Sequence, residues 1–134
     1  MKIARVYEQS GEEKERSHRG RRSRRKGVTF EREIVKLLKI YLSDAWSVKR
    51  MFQFRGGKGG LPDVEFANSR ANIVFHAECK HGKHPNIRDA MEEAVQNANS
   101  LAIPVAITRA DRGDIYVTMT LTDMCGILGR LVTP

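Results

Sequence analysis

Two short runs, Leu61-Pro62-Asp63 and Ala77-Glu78-Cys79-Lys80, carry the residue types in this sequence that are best suited to chemistry. Their spacing leaves room for a strand, a tight turn and a second strand, so Asp63 and Glu78 are expected at one end of a hairpin. Two adjacent carboxylates repel each other unless a cation joins them, and magnesium prefers oxygen ligands. The sequence therefore predicts a magnesium site formed by Asp63, Glu78 and the backbone carbonyl of Cys79.

Lys80 follows Glu78 at the spacing that puts both side chains on one face of a strand. An ammonium group there is near enough to hold or deprotonate a water molecule. A divalent cation beside it stabilises the charge that develops when water attacks phosphorus. The combination suits hydrolysis of phosphodiesters. The simpler alternative is a surface hairpin with no metal, because Asp, Glu and Lys are common residues.

The elements that must position these residues follow from the apolar pattern. Helical spacing of apolar residues predicts a helix that is capped by Thr29 and ends near Ser43-Asp44. Strands are predicted over residues 46–54, 62–67, 73–80, 101–108 and 115–119, with further helices beginning after Asn86 and at Thr122. The passage from strand through helix to strand implies a parallel pair. The predicted fold is α/β, with a mixed central sheet of about five strands flanked by helices.

Several apolar sets are predicted to face the core. The first helix presents a stripe formed by Phe30, Ile34, Leu37, Leu38 and Tyr41. The second helix presents a stripe formed by Ile87, Ala90, Met91, Ala94, Val95 and Ala98. The aromatic residues in the strands are spaced as core rather than as a platform for stacking bases; they are Trp46, Phe52, Phe54, Phe66 and Phe75.

Positive charge is concentrated at the start of the chain. The 134 residues carry a net charge of +8, and residues 1–27 hold ten Lys or Arg against four Glu. The sequence thus divides into a basic arm over residues 1–26, expected to be disordered when free, and one folded domain over residues 27–134. The arm is predicted to grip nucleic-acid phosphates; the alternative is a solvated tail that aids solubility. Its candidate DNA-binding residues are Arg21, Arg22, Arg24, Arg25 and Lys26.

The remaining composition limits where the protein works. Cys79 and Cys125 form no spaced framework, which favours a reducing, intracellular and cytoplasmic setting. No apolar run approaches the roughly 20 residues of a membrane span, and the basic start of the chain is unlike a secretory signal. We expect no membrane association and no small-molecule cofactor.

The motifs, taken in order, resemble a known family. The run Lys26-Gly27-x-x-Phe30-Glu31-Arg32-Glu33 is followed by Val48-x-Arg50, a Gly-rich loop at 55–60 and the two acidic runs described above. This order resembles the archaeal-type Holliday junction resolvases of the PD-(D/E)xK nuclease superfamily, from about Lys26 to Thr108. The resemblance implies the superfamily's mixed-sheet core, a homodimer, and magnesium-dependent paired nicks in four-way DNA junctions, with manganese as a substitute. Bacteriophages encode similar resolvases, so a phage origin also fits.

The resemblance assigns roles by motif position. Asp63 and Glu78 correspond to direct metal ligands, Glu31 to a carboxylate that contacts the metal through water, and Lys80 to the catalytic lysine. Cys79 stands where the family usually has an aliphatic residue and is expected to pack inward. The basic residues that correspond to contacts with the DNA backbone are Arg50, Arg55 and Lys58. Lys83, with its histidine neighbours, is predicted to face phosphate or solvent.

Other interpretations stay open at this point. The chain is alternatively a flap or nicking nuclease of the same superfamily, or a non-catalytic basic protein that binds nucleic acid. A zinc site at His76, Cys79, His81 and His84 is disfavoured, because period-two alternation puts the first two on opposite faces. Glu65 is either an additional carboxylate of the site or an exposed strand residue. Gln96 is either near the site or, as we favour, on the helix surface.

Overall fold

The computed structural model describes residues 11–51 and 61–132, and in these ranges the chain forms three helices and five strands. In chain order they are α1 (Gly11–Tyr41), β1 (Trp46–Arg50), β2 (Val64–Asn68), β3 (Ile73–Gly82), α2 (Ile87–Asn97), β4 (Ile103–Ala110), β5 (Ile115–Thr118) and α3 (Leu121–Val132). The predicted order of elements is confirmed. Within these ranges no helix is both long and apolar enough to cross a lipid bilayer.

The strands form one mixed sheet in the order β1-β2-β3-β4-β5. β1, β2 and β3 are antiparallel neighbours, β3 and β4 are parallel, and β4 and β5 are antiparallel. The parallel pair requires a crossover, which α2 provides. The α/β class with a helix-flanked mixed sheet of five strands is therefore confirmed.

The two faces of the sheet are covered by different helices. Phe30 and Ile34 of α1 are buried against a cluster that includes Cys79 of β3. On the other face, α2 packs on β3 and β4 through the fully buried Ala90 and Ala94. Because Glu78 and Cys79 are successive residues of one strand, they face opposite helices, with Glu78 toward α2. The small alanines let α2 approach the strand that carries the acid.

The aromatic core is confirmed for the residues that the structure describes. The rings of Phe66 and Phe75 stack at a centroid distance of 4.7 Å, and Trp46 lies 6.1 Å from Phe75. Burial of these rings between β1, β2 and β3 pins the register of the hairpin, since a shift by one residue would expose all of them. Phe52 and Phe54 lie outside the described residues.

Helix α1 differs most from expectation. We expected a disordered arm up to Lys26 and a helix from Thr29, but α1 already begins at Gly11 and runs without interruption to Tyr41. The basic segment contains no proline and is rich in Arg, Lys and Glu, which have high helix propensity, so the amphipathic helix extends backwards through it. Gly27 is tolerated within it at a cost of about 1 kcal/mol. Residues 1–10 lie outside the described residues.

Smaller corrections concern the edges of elements. The predicted cap Asn86 is confirmed, since its side chain accepts the N–H of Asp89 at 3.0 Å. For α3 the cap is Thr120 rather than Thr122, because the Thr120 hydroxyl accepts the N–H of Asp123. Three residues assigned to buried stripes are exposed instead; they are Tyr41, Ile87 and Val95.

Candidate active site

Asp63 lies immediately before β2, between β1 and β3, and its backbone joins both. Its N–H donates to the carbonyl of Ala77 and its carbonyl accepts the N–H of Met51, each at 2.9 Å. Its carboxylate Oδ2 accepts the N–H of Cys79, also at 2.9 Å. These contacts hold the Asp63 carboxylate at the open end of the hairpin, next to β3.

Glu31 reaches the same place from α1. It lies on the flank of the helix beside the buried Phe30, and its Oε2 is 3.2 Å from Nε of Arg50 at the end of β1. Burial and the negative charge of Asp63 raise the pKa of Glu31 to about 7, although Arg50 opposes the shift. A hydrogen bond to Asp63 adds to the increase, so the two carboxyl groups are direct neighbours.

Glu78 occupies the deepest position. It is only 3% exposed, and its Oε1 accepts a hydrogen bond from Nδ2 of Asn97 at 2.8 Å. Burial and the charge of Asp63 raise the pKa of Glu78 to about 8, against the lowering effect of Asn97. A hydrogen bond to Asp63 contributes here as well. Asp63 is thus the common neighbour of both glutamates, and we call Glu31, Asp63 and Glu78 the acid cluster.

Cys79 packs inward, as expected for a residue that replaces an aliphatic one. Its side chain is 7% exposed and belongs to the apolar cluster beneath α1. Burial and the nearby acids raise the pKa of its thiol far above the usual range, so it stays protonated. In a strand the N–H and C=O of one residue lie on the same edge, which puts the Cys79 carbonyl on the edge that faces Asp63.

Lys80 shares the face of Glu78 and lies at the rim of the site. Its Nζ is 2.9 Å from Oε2 of Glu93 on α2. Partial burial lowers the pKa of Lys80, but the hydrogen bond and the attraction of Glu93 outweigh this effect and raise it. The side chain is therefore an ammonium group at neutral pH, suited to donating hydrogen bonds rather than to accepting a proton.

The basic residues predicted to contact DNA differ in their exposure and in their ion pairing. Arg25 and Lys83 are exposed, whereas Lys26 pairs with Asp111 at 2.7 Å and Arg50 pairs with Glu31. Three of the predicted residues lie within α1: Arg21, Arg22 and Arg24. Two lie outside the described residues: Arg55 and Lys58.

Neighbouring candidates fall outside the acid cluster. Glu65 faces His76 across the β2–β3 pair, at 3.4 Å from its Nε2, and His76 Nδ1 accepts the N–H of Asn99. His76 and the inward-facing Cys79 are on opposite faces of β3, as alternation predicted. Gln96 is exposed on α2, which confirms the surface interpretation. Glu65, His76 and Gln96 therefore lie outside the acid cluster.

The donor set can be tested for its fit to magnesium. In residues 11–51 and 61–132, no three His, Cys, Asp or Glu side chains are arranged so as to hold a metal ion. Magnesium, however, usually binds through one or two carboxylates and retains several waters, so a preformed triple site is not required. Burial and the negative charge of Asp63 are the main causes of the raised pKa values of Glu31 and Glu78. Buried carboxyl oxygens that repel one another fit a hard divalent cation.

Two residues of the site were not predicted from the sequence. Asn97 and Glu93 of α2 contact Glu78 and Lys80 respectively. The sequence did carry a signal for their position near the sheet, because residues 93 and 97 flank the small residues Ala90 and Ala94 at helical spacing. Their partners, however, depend on how α2 lies on β3.

Comparison with known proteins adds no assignment. No protein-family model matches the chain, and a search of curated proteins finds no significant match.

Proposed function

We propose that this chain is a magnesium-dependent, structure-selective DNA endonuclease with a PD-(D/E)xK core that resolves four-way junctions by paired nicks. One observation carries the proposal: the acid cluster combines three carboxylates from three segments with a lysine two residues after Glu78. Buried carboxyl groups with raised pKa values cost stability, and they are concentrated at functional sites. The four-way junction as substrate derives from the family resemblance.

The proposed roles of the side chains are of two kinds: some bind the cation, and others orient the attacking water. Asp63 and Glu78, with the Cys79 carbonyl, would supply oxygen donors for the cation, and Glu31 would act on it through water. A magnesium ion there supplies the positive charge that stabilises the phosphoryl oxygens and lowers the pKa of water. The Lys80 ammonium donates hydrogen bonds that orient the attacking water beside the phosphorus. Arg50 holds Glu31 in place.

DNA as the substrate agrees with the distribution of charge. The chain has a net charge of +8, and its basic residues are concentrated in and before α1. Neutralisation of phosphates with release of counterions is the main source of affinity for such a protein. The cluster of acids would repel the scissile phosphate in the absence of a cation, so productive binding and metal binding are coupled.

Paired nicks require two active sites, and one chain supplies a single acid cluster among its described residues. We therefore include a homodimer in the proposal. Candidate contact surface exists on the described part of α3 and on the edge strand β5, which expose large apolar side chains; they include Tyr116, Val117, Leu121, Met124, Leu128 and Leu131. A two-fold dimer would bury such a surface against its own copy.

A nicking assay on synthetic DNA tests the proposal. Wild-type protein should introduce symmetric nicks into a four-way junction with magnesium and none with a chelator. Asp63→Asn should lower the rate by at least about 10³-fold, yet keep or tighten junction binding because one negative charge is lost. Asp44→Asn, at an exposed position after α1, is the matched control and should be fully active.

Parallel substrates separate the rival enzymes. Flap, linear duplex and single-stranded DNA are tested beside the junction under the same conditions. Cleavage of flaps alone would contradict junction resolution and leave a nuclease of the same type. Binding with a steep salt dependence and no cleavage of any substrate would instead identify a non-catalytic DNA-binding protein.

A further inference from the structure

Helix α2 and the residues just after it run alongside β3 and contact it through three polar bridges. The N–H of Asn99 donates to His76, the Asn97 amide donates to Glu78, and Glu93 binds Lys80. Residues that come later in the helix contact residues that come earlier in the strand, so the two elements are antiparallel. The bridges from Asn97 and Glu93 end on the two residues of β3 to which the proposed function assigns chemistry.

The spacing of these bridges follows from helix and strand geometry. Four residues of helix rise about 6 Å, and two residues of strand rise about 6.6 Å. Glu93 and Asn97 are therefore separated by the same length as Lys80 and Glu78, and both pairs form at once without distortion. The fully buried Ala90 and Ala94 bring the helix close enough for the short Asn97 side chain to reach Glu78.

We propose that Glu93 and Asn97 are positioning residues of the active site, and that α2 acts as a clamp which orients the Glu78 carboxylate and the Lys80 ammonium. The inference rests on the proposed nuclease function and assigns it two further residues. The clamp supplies each partner with a different contact. The Asn97 amide orients Glu78 without neutralising it, and the Glu93 carboxylate fixes the direction of Lys80.

The solvent-facing side of α2 provides an internal control. Glu92 is adjacent to Glu93 but points into solvent, where it pairs with Arg88 of its own helix at 3.6 Å. An exposed pair of this kind contributes little to stability. Glu92→Ala and Glu93→Ala therefore make the same chemical change on two sides of one helix.

Metal binding by the free protein tests the Asn97 contact without relying on catalysis. Manganese affinity is measured by calorimetry in the absence of DNA. Asn97→Ala should weaken it by about 10-fold, the usual effect of removing a partner of a metal ligand. Asn97→Leu keeps nearly the size of the side chain but removes the donor without adding charge, so it should weaken binding by about the same factor. Circular dichroism confirms that each variant is folded, and the Leu variant decides if the Ala variant is not.

Junction nicking tests the Glu93 contact through a split between kcat and KM. Glu93→Ala should lower kcat by about 10-fold and leave KM unchanged. Glu93→Gln should recover most of the activity, because its amide oxygen still accepts from Lys80. Glu92→Ala should match the wild type in both parameters.

The outcomes separate the clamp from the proposed function. If the wild type nicks junctions but the Asn97 variants match it in metal affinity and Glu93→Ala matches Glu92→Ala in kcat, the clamp is wrong and the nuclease stands. If the wild type neither binds manganese nor nicks DNA, the nuclease proposal fails and the clamp fails with it.

Discussion

Glu31 and Glu33 are two residues apart on α1, yet they lie in opposite electrostatic environments. Both oxygens of Glu33 accept from the Arg109 guanidinium at 2.7 and 2.8 Å, and this hydrogen bonding lowers the pKa of Glu33. Glu31 lies beside Asp63 in the acid cluster, where burial and repulsion raise its pKa to about 7. One helix thus contributes to a region with balanced charges and to a region with excess negative charge.

The balanced region joins α1 to the end of β4, and we call it the ion-pair cluster. Besides Glu33 and Arg109 it includes Asp111, which binds Lys26 at 2.7 Å and lies 3.5 Å from Nε2 of His81. The Lys26 hydrogen bond lowers the pKa of Asp111. The Arg109 guanidinium also lies over the ring of the buried Phe30. Every acid in this cluster has a cation, which is the signature of a structural contact.

The acid cluster differs because burial and the repulsion between its carboxyl groups dominate its electrostatics. Arg50 lies 3.2 Å from Glu31, and its effect on the pKa of Glu31 is smaller than the effects of burial and Asp63. Buried carboxyl groups with raised pKa values cost stability, and they are typical of metal-binding and catalytic sites. The comparison teaches that two acids of one motif differ in pKa because one lies beside another acid and the other is paired with an arginine.

Replacing each of the two glutamates by glutamine in a separate variant is the strongest test of this comparison. Glu31→Gln should lower the magnesium-dependent nicking rate by about 100-fold, because it removes a carboxylate that acts on the cation through water. Glu33→Gln should lower it by less than about 3-fold, since only a partly buried ion pair outside the acid cluster is lost. Single-turnover nicking of a four-way junction at saturating magnesium measures both. Equal losses would mean that the two clusters do not differ in function.

The pH dependence of metal binding sharpens the comparison further. The pKa values of Glu31 and Glu78 are raised to about 7 and about 8, so protons compete with a cation for these carboxyl groups near neutral pH. Manganese affinity should therefore rise by at least about 10-fold between pH 6 and pH 8.5, and level off above the pKa of Glu78. Calorimetry in buffers of different ionisation enthalpy should also detect released protons. Affinity that is constant over this range would contradict the raised pKa values.

Thermal stability should respond to the two clusters with opposite signs. The pKa of Glu78 is about 8 in the folded protein against 4.5 when unfolded, so the folded state binds more protons between these values and stability falls as pH rises through them. Glu78→Gln removes this loss and should raise Tm in chelator by about 5 °C at pH 9, with little change at pH 4.

Glu33 provides the opposite case in the same measurement. Its pKa is lowered on folding, so its contribution is present above the unfolded value and is lost as pH falls through the folded one. Glu33→Gln should lower Tm by about 1 to 4 °C at pH 7 and converge with the wild type in acid. Two variants that shift Tm in the same direction at pH 9 would remove the distinction between the clusters.

Much of the fold was predictable because it depends on local periodicity. Alternation along β3 puts Glu78 and Lys80 on one face and Cys79 on the other, and the structure agrees. The Asn86 cap followed from its position before an amphipathic run. The start of α1 was predicted incorrectly because a dense basic run is compatible with disorder as well as with helix. Composition alone does not distinguish these states.

The partners of the site residues were less predictable, since they come from distant parts of the chain. The helix stripe predicted that Glu31 lies at the edge of an apolar face, but it did not distinguish its surroundings from those of Glu33. Glu33 meets Arg109, 76 positions away, and Glu78 meets Asn97, 19 positions away. Neither contact leaves a signature in the spacing of residues near the acids.

The sequence by itself determined which residues share a face of a helix or strand, because side-chain direction repeats with the backbone. It thereby determined that two acids and a lysine converge at the end of one hairpin. Only the tertiary structure decided which of these acids are buried beside another acid and which helix contacts them. The reason is that burial and Coulomb interactions depend on distances between elements, and those distances are set by packing of the whole sheet with its helices.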